Sequence, residues 1–238
     1  MTTDTTRTAS GGRKRRSLNF LTPELMVETA LRIVETEGAD ALTFRRLGAE
    51  LQVDHTAVLR HFGNKDDLLL ALTNRLLEES HRGFTPAAHW RDTIADLARR
   101  LRRACLAHPK VAALVATRTS RREAEFRGAN WIVEALFQAG LRGREAASYY
   151  RALVDVGLAY SSFEATLATV GEEERRGDRE AWQREYLLAS PSLYPHLAEV
   201  APHLAQVDEE DQFEITLGLL LDAVELRATQ AKATNPDS

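Results

Sequence analysis

Hydrophobic residues in this chain recur mostly at intervals of three and four positions, a spacing that places them along one side of an α-helix. The first clear segment begins at Thr22 and Pro23, residue types typical of a helix start, and stops at Gly38, which is typical of a helix end. Because prolines and glycines are few, the sequence predicts helices throughout. The apolar residues that share one side of this first helix are Met26, Ala30, Ile33 and Val34.

Two short helices joined by a tight turn are predicted next. Thr43 can cap a first helix over residues 44–51, because its hydroxyl accepts hydrogen bonds from the free N–H groups of the first turn. Asp54 can cap a second helix that ends near residue 62 in the same way. Since only residues 52–53 lie between them, the two helices must cross steeply, as they do in a helix-turn-helix.

The second of these helices has an apolar side and a polar side. Val58 and Phe62 are four residues apart and are predicted to pack against Leu47 and Leu51 of the first helix. The opposite side then faces solvent, and its imidazole, hydroxyl and guanidinium groups suit the base edges and phosphates of a DNA groove. The predicted DNA contacts, with the flanking cations, are Arg45, Arg46, Asp54, His55, Thr56, Leu59, Arg60, His61 and Lys65.

The remainder of the chain continues the helical pattern. Asn64 is predicted to cap a fourth helix that ends near Ser80, and the Gly, Thr, Pro and Ala residues of 83–89 mark a domain boundary. The charge run at residues 172–179 is predicted to be a solvated loop in preference to a metal site, and residues 187–207, which contain three prolines, short helical turns. Longer helices are predicted over residues 90–107, 120–140, 144–170 and 211–229, and a short helix over residues 110–117.

These elements predict an all-α fold. An N-terminal three-helix domain that contains the helix-turn-helix is joined by the fourth helix to a larger helical domain. The predicted divisions are a disordered basic arm at 1–20, the helix-turn-helix domain at 21–80, the larger domain at 81–230 and a disordered tail at 231–238.

Two segments, residues 146–167 and 213–226, are more apolar than surface helices of a monomer. One explanation is that both lie in the core of the larger domain. The other is that two copies of each form a four-helix interface in a two-fold homodimer. DNA recognition favours the dimer, because one short helix contacts few base pairs and paired helices contact two half-sites.

The charge of the chain does not suggest a generally basic protein. The 238 residues carry a net charge of −4, so the location of the cations matters more than their sum. Two interpretations of the N-terminal arm stay open: it lies along DNA or enters a minor groove, or its charges only keep it soluble. The cations of this arm are Arg7, Arg13, Lys14, Arg15 and Arg16.

The cysteine content and the hydropathy of the chain bear on the cellular compartment of the protein. Cys105 is the only cysteine, which excludes an intramolecular disulfide and suits a reducing cytoplasm. No apolar run approaches the roughly 18 residues of a membrane span, and the first 20 residues lack the apolar segment of a signal peptide.

The run LTPELMVETALRIVETEGADALTFRRLGAELQVDHTAVLRHFGNKDDLLLAL, residues 21–72, resembles the DNA-binding domain of the TetR family of bacterial transcriptional repressors. The chain departs from the family pattern at two positions. Gln52 stands where the family usually has glycine, so a left-handed backbone there would cost about 1 kcal/mol. Leu59 stands where the family often has a tyrosine that contacts phosphate.

The larger domain resembles the tetracycline-repressor-like branch of the same family. The resemblance rests on Trp90, on HPKVAALVATRT at residues 108–119, on QAGL at 138–141 and on the apolar segment at 213–221. Such domains dimerise and hold an effector cavity. The resemblance therefore implies a dimeric repressor that binds a palindromic operator and is released by a small molecule.

The resemblance also implies which residues line the cavity, although ordinary core packing remains an alternative for each of them. Leu114, Leu158 and Thr166 stand where a metal–drug chelate would need imidazole and carboxylate ligands, so the sequence predicts a mostly apolar effector and neither metal nor cofactor. The predicted effector contacts are His81, Leu97, Leu101, Leu114, Thr117, Arg118, Asn130, Trp131 and Leu158.

Catalysis and zinc binding are less well supported. Cys105 and His108 lie three apart on one predicted helix, but no acid is placed to orient them, and the seven histidines include no HxxxH pair. The sequence therefore predicts that the protein is not an enzyme. The alternative function is a helical small-molecule-binding protein or enzyme that keeps a vestigial helix-turn-helix.

Overall fold

The computed structural model describes residues 21–204, 206–207 and 209–234, and over these residues the chain is helical, without β-strands. The predicted all-α fold is confirmed. The basic arm at 1–20 and the last four residues lie outside the described part. The helices are α1 (Pro23–Glu37), α2 (Phe44–Glu50), α3 (His55–Leu59), α4 (Lys65–Ser80), α5 (Trp90–Ala107), α6 (Pro109–Val115), α7 (Glu123–Ala139), α8 (Gly143–Thr169), α9 (Glu172–Arg184), α10 (Pro195–Leu204) and α11 (Glu209–Thr234).

The chain divides into two compact units, Met1–Leu68 and Leu69–Ser238, and the division falls within α4. In the first unit α2 packs against both α1 and α3. Of the residues predicted to pack between α2 and α3, Leu47 and Val58 are fully buried and Phe62 is only 3% exposed, whereas Leu51 is half-buried. No helix of the described residues combines the length and hydropathy needed to cross a membrane.

The core of the second unit is built from α5, α7, α8 and α11. Leu136 on α7 and Val224 on α11 have no exposed surface, and Trp90 at the start of α5 is 8% exposed. Helix α5 therefore begins with a buried aromatic ring. His89 caps it, because its Nδ1 accepts a hydrogen bond from the Arg91 N–H at 3.3 Å.

Several predicted elements differ from the structure. Residues 187–207, predicted to form short helical turns, include the ten-residue helix α10, which contains Pro202. Residues 172–184 form helix α9 and not a loop, because acids in the first turn and Arg184 in the last suit the helix dipole. Helix α3 ends at Leu59, although the Phe62 N–H still donates to the Val58 carbonyl at 3.0 Å. Helix α11 continues to Thr234, four residues into the predicted tail.

The turn between α2 and α3 is a Schellman motif with Gln52 in the left-handed conformation, at a φ of 56°. The Val53 N–H donates to the Gly48 carbonyl at 2.9 Å, and the Gln52 N–H donates to the Ala49 carbonyl at 3.2 Å. Helix α7 ends in the same motif, but there the left-handed residue is Gly140. The left-handed conformation is therefore strained at Gln52, whereas glycine adopts it without steric cost.

Exchanging these two residue types should change stability in opposite directions. We expect Gln52→Gly to raise the free energy of unfolding of the first unit by about 0.5–1 kcal/mol, since glycine removes the steric cost of the left-handed conformation. The reciprocal change Gly140→Gln should destabilise the second unit by about 1 kcal/mol or more. Urea denaturation followed by circular dichroism measures both, and a less stable Gln52→Gly variant would contradict the strain.

Candidate DNA interface and ligand cavity

Helix α3 begins at His55 because Asp54 caps it. One oxygen of the Asp54 carboxylate accepts both the Thr56 N–H, at 2.9 Å, and the Thr56 hydroxyl, at 2.6 Å. The hydroxyl and then the backbone N–H of Thr56 lower the pKa of Asp54, so the cap is charged at neutral pH. The carboxylate therefore holds the start of the helix.

The outward side of α3 carries the predicted contact residues. His55, Thr56, Leu59, Arg60 and His61 are all exposed. His55, Thr56 and Leu59 belong to α3, and Arg60 and His61 follow its last residue directly. An α-helix has the width that a DNA major groove admits.

The three flanking cations differ in their exposure and in their ion pairs. Arg45 and Lys65 are exposed, whereas Arg46 is engaged by two carboxylates. Its guanidinium donates to both oxygens of Glu37, at 2.6 and 3.0 Å, and to Glu50 at 2.8 Å. These contacts lower the pKa of both acids. Arg46 thus joins α1 to α2, and we do not include it among the proposed phosphate contacts.

Gly48 allows the backbone of the turn to approach α2. A Cβ atom at this position would lie 2.9 Å from the Val53 carbonyl oxygen and 3.2 Å from the His55 nitrogen. Both neighbours are main-chain atoms, which cannot move aside as a flexible side chain can. The position of α3 against α2 therefore depends on the absence of a side chain at residue 48.

The second unit encloses a cavity of about 400 Å³. Its wall comes from the end of α4, from α5, α7, α8 and α11 and from the turn after α6, and most of its residues are apolar. A volume in this range suits one small molecule. Five of the nine predicted effector contacts line it: His81, Leu97, Leu101, Arg118 and Leu158.

The other four predicted contacts lie outside the cavity wall. Thr117 and Asn130 are exposed and Leu114 is half-buried. Trp131 packs edge-on against His81, with ring centroids 5.1 Å apart, and so supports a wall residue from behind. A neighbour of Asn130 on the same helix, Ala129, reaches the cavity instead.

Several polar groups of the wall are not among the predicted effector contacts. Glu125 on α7 and Tyr150, Arg151 and Asp155 on α8 line the cavity. Burial, followed by the charge of Glu125, raises the pKa of the Tyr150 hydroxyl, so this group remains a hydrogen-bond donor at neutral pH. Tyr150, Arg151 and Asp155 lie within residues 146–167, the segment for which the sequence predicts a core or a dimer interface, and Glu125 has no sequence signal that marks it as a cavity residue.

His81 follows α4 directly and is held in place by α7. A Cβ at Gly128 would lie 2.9 Å from the imidazole Cε1 and Nε2 atoms, so the ring rests on the glycine. Its Nδ1 atom is buried and has no hydrogen-bond partner. Burial, and to a lesser extent the charge of Arg127, lower the pKa of His81 to about 4, so the ring is neutral at pH 7.

This lowered pKa predicts a pH dependence of stability. A histidine in an unfolded chain has a pKa near 6.5, so between about pH 6.5 and 4 the unfolded state binds a proton that the folded state excludes. The free energy of unfolding therefore falls as the pH decreases through this window. Between pH 7 and 5 we expect the wild type to lose about 1–2 kcal/mol more than His81→Phe, measured by urea denaturation. His196→Phe, at an exposed position, is the control and should behave like the wild type.

Cys105 and His108 do not form a reactive pair. Cys105 is 4% exposed, and burial, with a smaller contribution from Glu164, raises the pKa of its thiol to about 12. The His108 Nε2 atom instead faces Glu79 at 3.2 Å. Among the described residues no group of three or more His, Cys, Asp or Glu side chains could hold a metal ion.

Comparison with known proteins identifies the family of both parts of the chain. The model of bacterial regulatory proteins of the tetR family matches residues 26–72, and that of the tetracyclin repressor-like C-terminal domain matches residues 83–228. The tetracycline repressor protein class A from transposon 1721 of Escherichia coli is 30% identical over 210 residues, which cover 87% of this chain and 92% of the relative.

Solved structures of similar proteins support the same family. Apo ActR from Streptomyces coelicolor is 26% identical with a TM-score of 0.78, over 89% of this chain and 98% of ActR. ActR in complex with actinorhodin gives a TM-score of 0.76 at 26% identity, over 87% of this chain and 98% of ActR. The resemblance inferred from the sequence is thus confirmed, and the chain belongs to the TetR family of bacterial regulatory proteins, with a tetracycline repressor-like C-terminal domain.

Proposed function

We propose that the protein is a ligand-responsive transcriptional repressor that binds a palindromic operator as a homodimer in the cytoplasm. The observation that carries this proposal is the exposed polar surface of α3, capped by Asp54 and set against a buried apolar side. Arg60, His55 and Thr56 would contact base edges or phosphates, and Arg45 and Lys65 would contact phosphates.

The cavity of the second unit supports an effector that is mostly apolar with a few polar groups. Leucine, isoleucine and aromatic residues make up much of the wall, while Tyr150 and the neutral His81 provide hydrogen-bonding groups. Arg118 and Glu125 add charge of both signs to one part of the wall. Such a site suits a ligand with a hydrophobic body and one or two hydroxyl or carbonyl groups.

The exposed apolar side chains of α8 and α11 support the dimer. Phe163 on α8 is 60% exposed, and Leu219 and Leu226 on α11 are 66% and 63% exposed. Large apolar residues on neighbouring helices are unusual on the surface of a monomer and typical of an interface. We propose that residues 146–167 and 213–226 of two copies form it. Analytical ultracentrifugation should give twice the mass of the chain, and a strictly monomeric protein would contradict this part of the proposal.

The ligand acts, in this proposal, by favouring a state in which the α3 helices of the two copies, the proposed recognition helices, no longer match the operator. It must bind that state more tightly, because a ligand with equal affinity for both states shifts nothing. Changing a population from almost entirely DNA-competent to almost entirely incompetent requires about 5.5 kcal/mol of differential affinity.

Gel-shift titration against the upstream region of the protein's own gene tests DNA recognition. We expect wild-type affinity to fall steeply with salt, and Arg60→Ala to weaken specific binding by about 1–3 kcal/mol. Arg176→Ala on α9 removes a charge elsewhere and is the control. An unchanged sequence preference in Arg60→Ala would show that α3 does not read the bases as proposed.

The second candidate function is a small-molecule-binding protein with a vestigial helix-turn-helix. Gln52 and Leu59 favour it, because they stand where the family usually has glycine and often has a tyrosine that contacts phosphate. The two functions are separated by measuring operator affinity with and without a ligand found by thermal-shift screening. A ligand that binds while specific DNA binding is absent would support the second function.

A further inference from the structure

A charged pair lies behind the wall of the cavity. The guanidinium of Arg102 on α5 donates to both carboxylate oxygens of Glu164 on α8, at 2.7 and 2.8 Å, and the two side chains are only 11% and 9% exposed. Removing two opposite charges from water is costly, and an apolar pair of similar size is often as stable. Stability alone therefore does not account for this pair.

The pair also touches an aromatic cluster that does line the cavity. The guanidinium carbon of Arg102 lies 4.6 Å from the centroid of the Phe213 ring on α11. Phe213 in turn meets Tyr160 of α8 edge-on, with centroids 5.7 Å apart. Phe213 and Tyr160 belong to the cavity wall, whereas Arg102 and Glu164 do not. The charged pair thus contacts one ring of the wall without reaching the ligand space.

We propose that Arg102 and Glu164 are positioning residues that hold Phe213 and Tyr160 as a rigid aromatic wall, and that this wall makes the cavity select planar aromatic ligands over flexible aliphatic ones. The inference rests on the ligand cavity of the proposed function. An aromatic ligand gains from ring contacts only when the partner rings keep a defined offset or edge-on geometry. Glu164 fixes the guanidinium with two bonds, and the guanidinium fixes Phe213.

Two alcohols test the selection, because they share one hydroxyl and differ in shape: 9-anthracenemethanol, which is planar, and 1-dodecanol, which is flexible. Affinities of the full-length chain are measured by isothermal titration calorimetry at 20 °C. We expect Glu164→Gln to weaken binding of the planar alcohol about tenfold and that of the flexible alcohol less than twofold. A similar loss for both alcohols, or for neither, would overturn the inference.

The matched control is Asp222→Asn. Asp222 of α11 accepts a hydrogen bond from Arg91 of α5 at 2.5 Å, so this pair also joins two of the same helices. It is more exposed, at 30% for Arg91 and 66% for Asp222, and does not line the cavity. Its loss should leave the ratio of the two affinities unchanged. A ratio altered to the same degree in both variants would assign the effect to general loosening of the helices and would overturn the positioning role.

A double-mutant cycle identifies the route of the effect. If Glu164 acts through the Phe213 ring, then Glu164→Gln should change the affinity ratio little in a Phe213→Leu background. Additive effects would contradict this route.

Should Glu164→Gln not fold, Arg102→Lys replaces it, since it keeps the charge but loses the two-pronged contact. Failure of the wild type to prefer the planar alcohol overturns the inference and leaves DNA binding, which the gel shift tests separately, unaffected.

Discussion

Gly48→Ala is expected to abolish specific operator binding while the second unit stays folded. The new Cβ would meet the Val53 carbonyl oxygen at 2.9 Å, so the turn and the start of α3 must move. Overpacking of this kind costs about 1–3 kcal/mol. Because α3 has only five residues, that cost falls on the whole recognition helix, and we expect at least a 100-fold loss of specific affinity, equivalent to about 2.7 kcal/mol.

The unfolding of the two units can be followed separately in this variant. All three tryptophans, Trp90, Trp131 and Trp182, follow residue 69, so their fluorescence reports the second unit alone. In Gly48→Ala the fluorescence transition in urea should match the wild type, while circular dichroism shows an earlier loss of helix. Gly177→Ala is the control, because a Cβ there meets nothing within 4 Å and should stabilise α9 by up to about 1 kcal/mol. If Gly48→Ala bound the operator as tightly as the wild type, position 48 would have room for a side chain and the prediction would be wrong.

Glu164→Met should be the most destabilising single change considered for the second unit. It removes both carboxylate oxygens that accept hydrogen bonds from the buried Arg102 guanidinium, and breaking a buried pair in this way typically costs about 3–5 kcal/mol. Methionine is slightly larger than glutamate, so the effect reports the lost charge contact and not a cavity. Tryptophan fluorescence in urea measures the loss.

The double variant Arg102→Met/Glu164→Met should recover most of that stability. The double variant removes both members of the ion pair together, and apolar replacements of buried pairs are often neutral or stabilising. A double variant as unstable as Glu164→Met would mean that shape at this site matters more than charge. The pair would then contribute to folding directly, in addition to its proposed role behind Phe213.

Much of the fold could be predicted because local chemistry marks the ends of helices. Thr22 accepts the Leu25 N–H at 3.2 Å and Asn64 accepts the Asp67 N–H at 2.9 Å, so α1 and α4 start where capping residues predict. The left-handed turn residue Gln52 was anticipated from the family pattern. Helix α9 was missed because a charged segment without an apolar side gives no periodic signal.

The sites were less predictable than the fold, because they depend on which faces of separate helices meet. The sequence predicts that Arg46 contacts DNA, but in the structure its guanidinium is bound by Glu37 of α1. Because Glu37 lies nine residues away on another helix, the spacing along α2 does not reveal this contact. The family resemblance implies that Asn130 and Trp131 contact the effector, whereas Ala129, the residue before Asn130 on α7, is the one that lines the cavity. Spacing along one helix gives its faces, but not the rotation that packing finally selects.

Burial of Cys105 makes this chain suitable for site-specific spin labelling. Since its only sulfhydryl is 4% exposed and has a raised pKa, a maleimide should find almost no target on the native protein. A cysteine introduced for the exposed Ala49 of α2 would then carry the label alone. In the proposed homodimer, pulsed electron paramagnetic resonance between the two labels would give the separation of the two α2 helices, against which α3 packs, in ångströms, with and without a bound molecule.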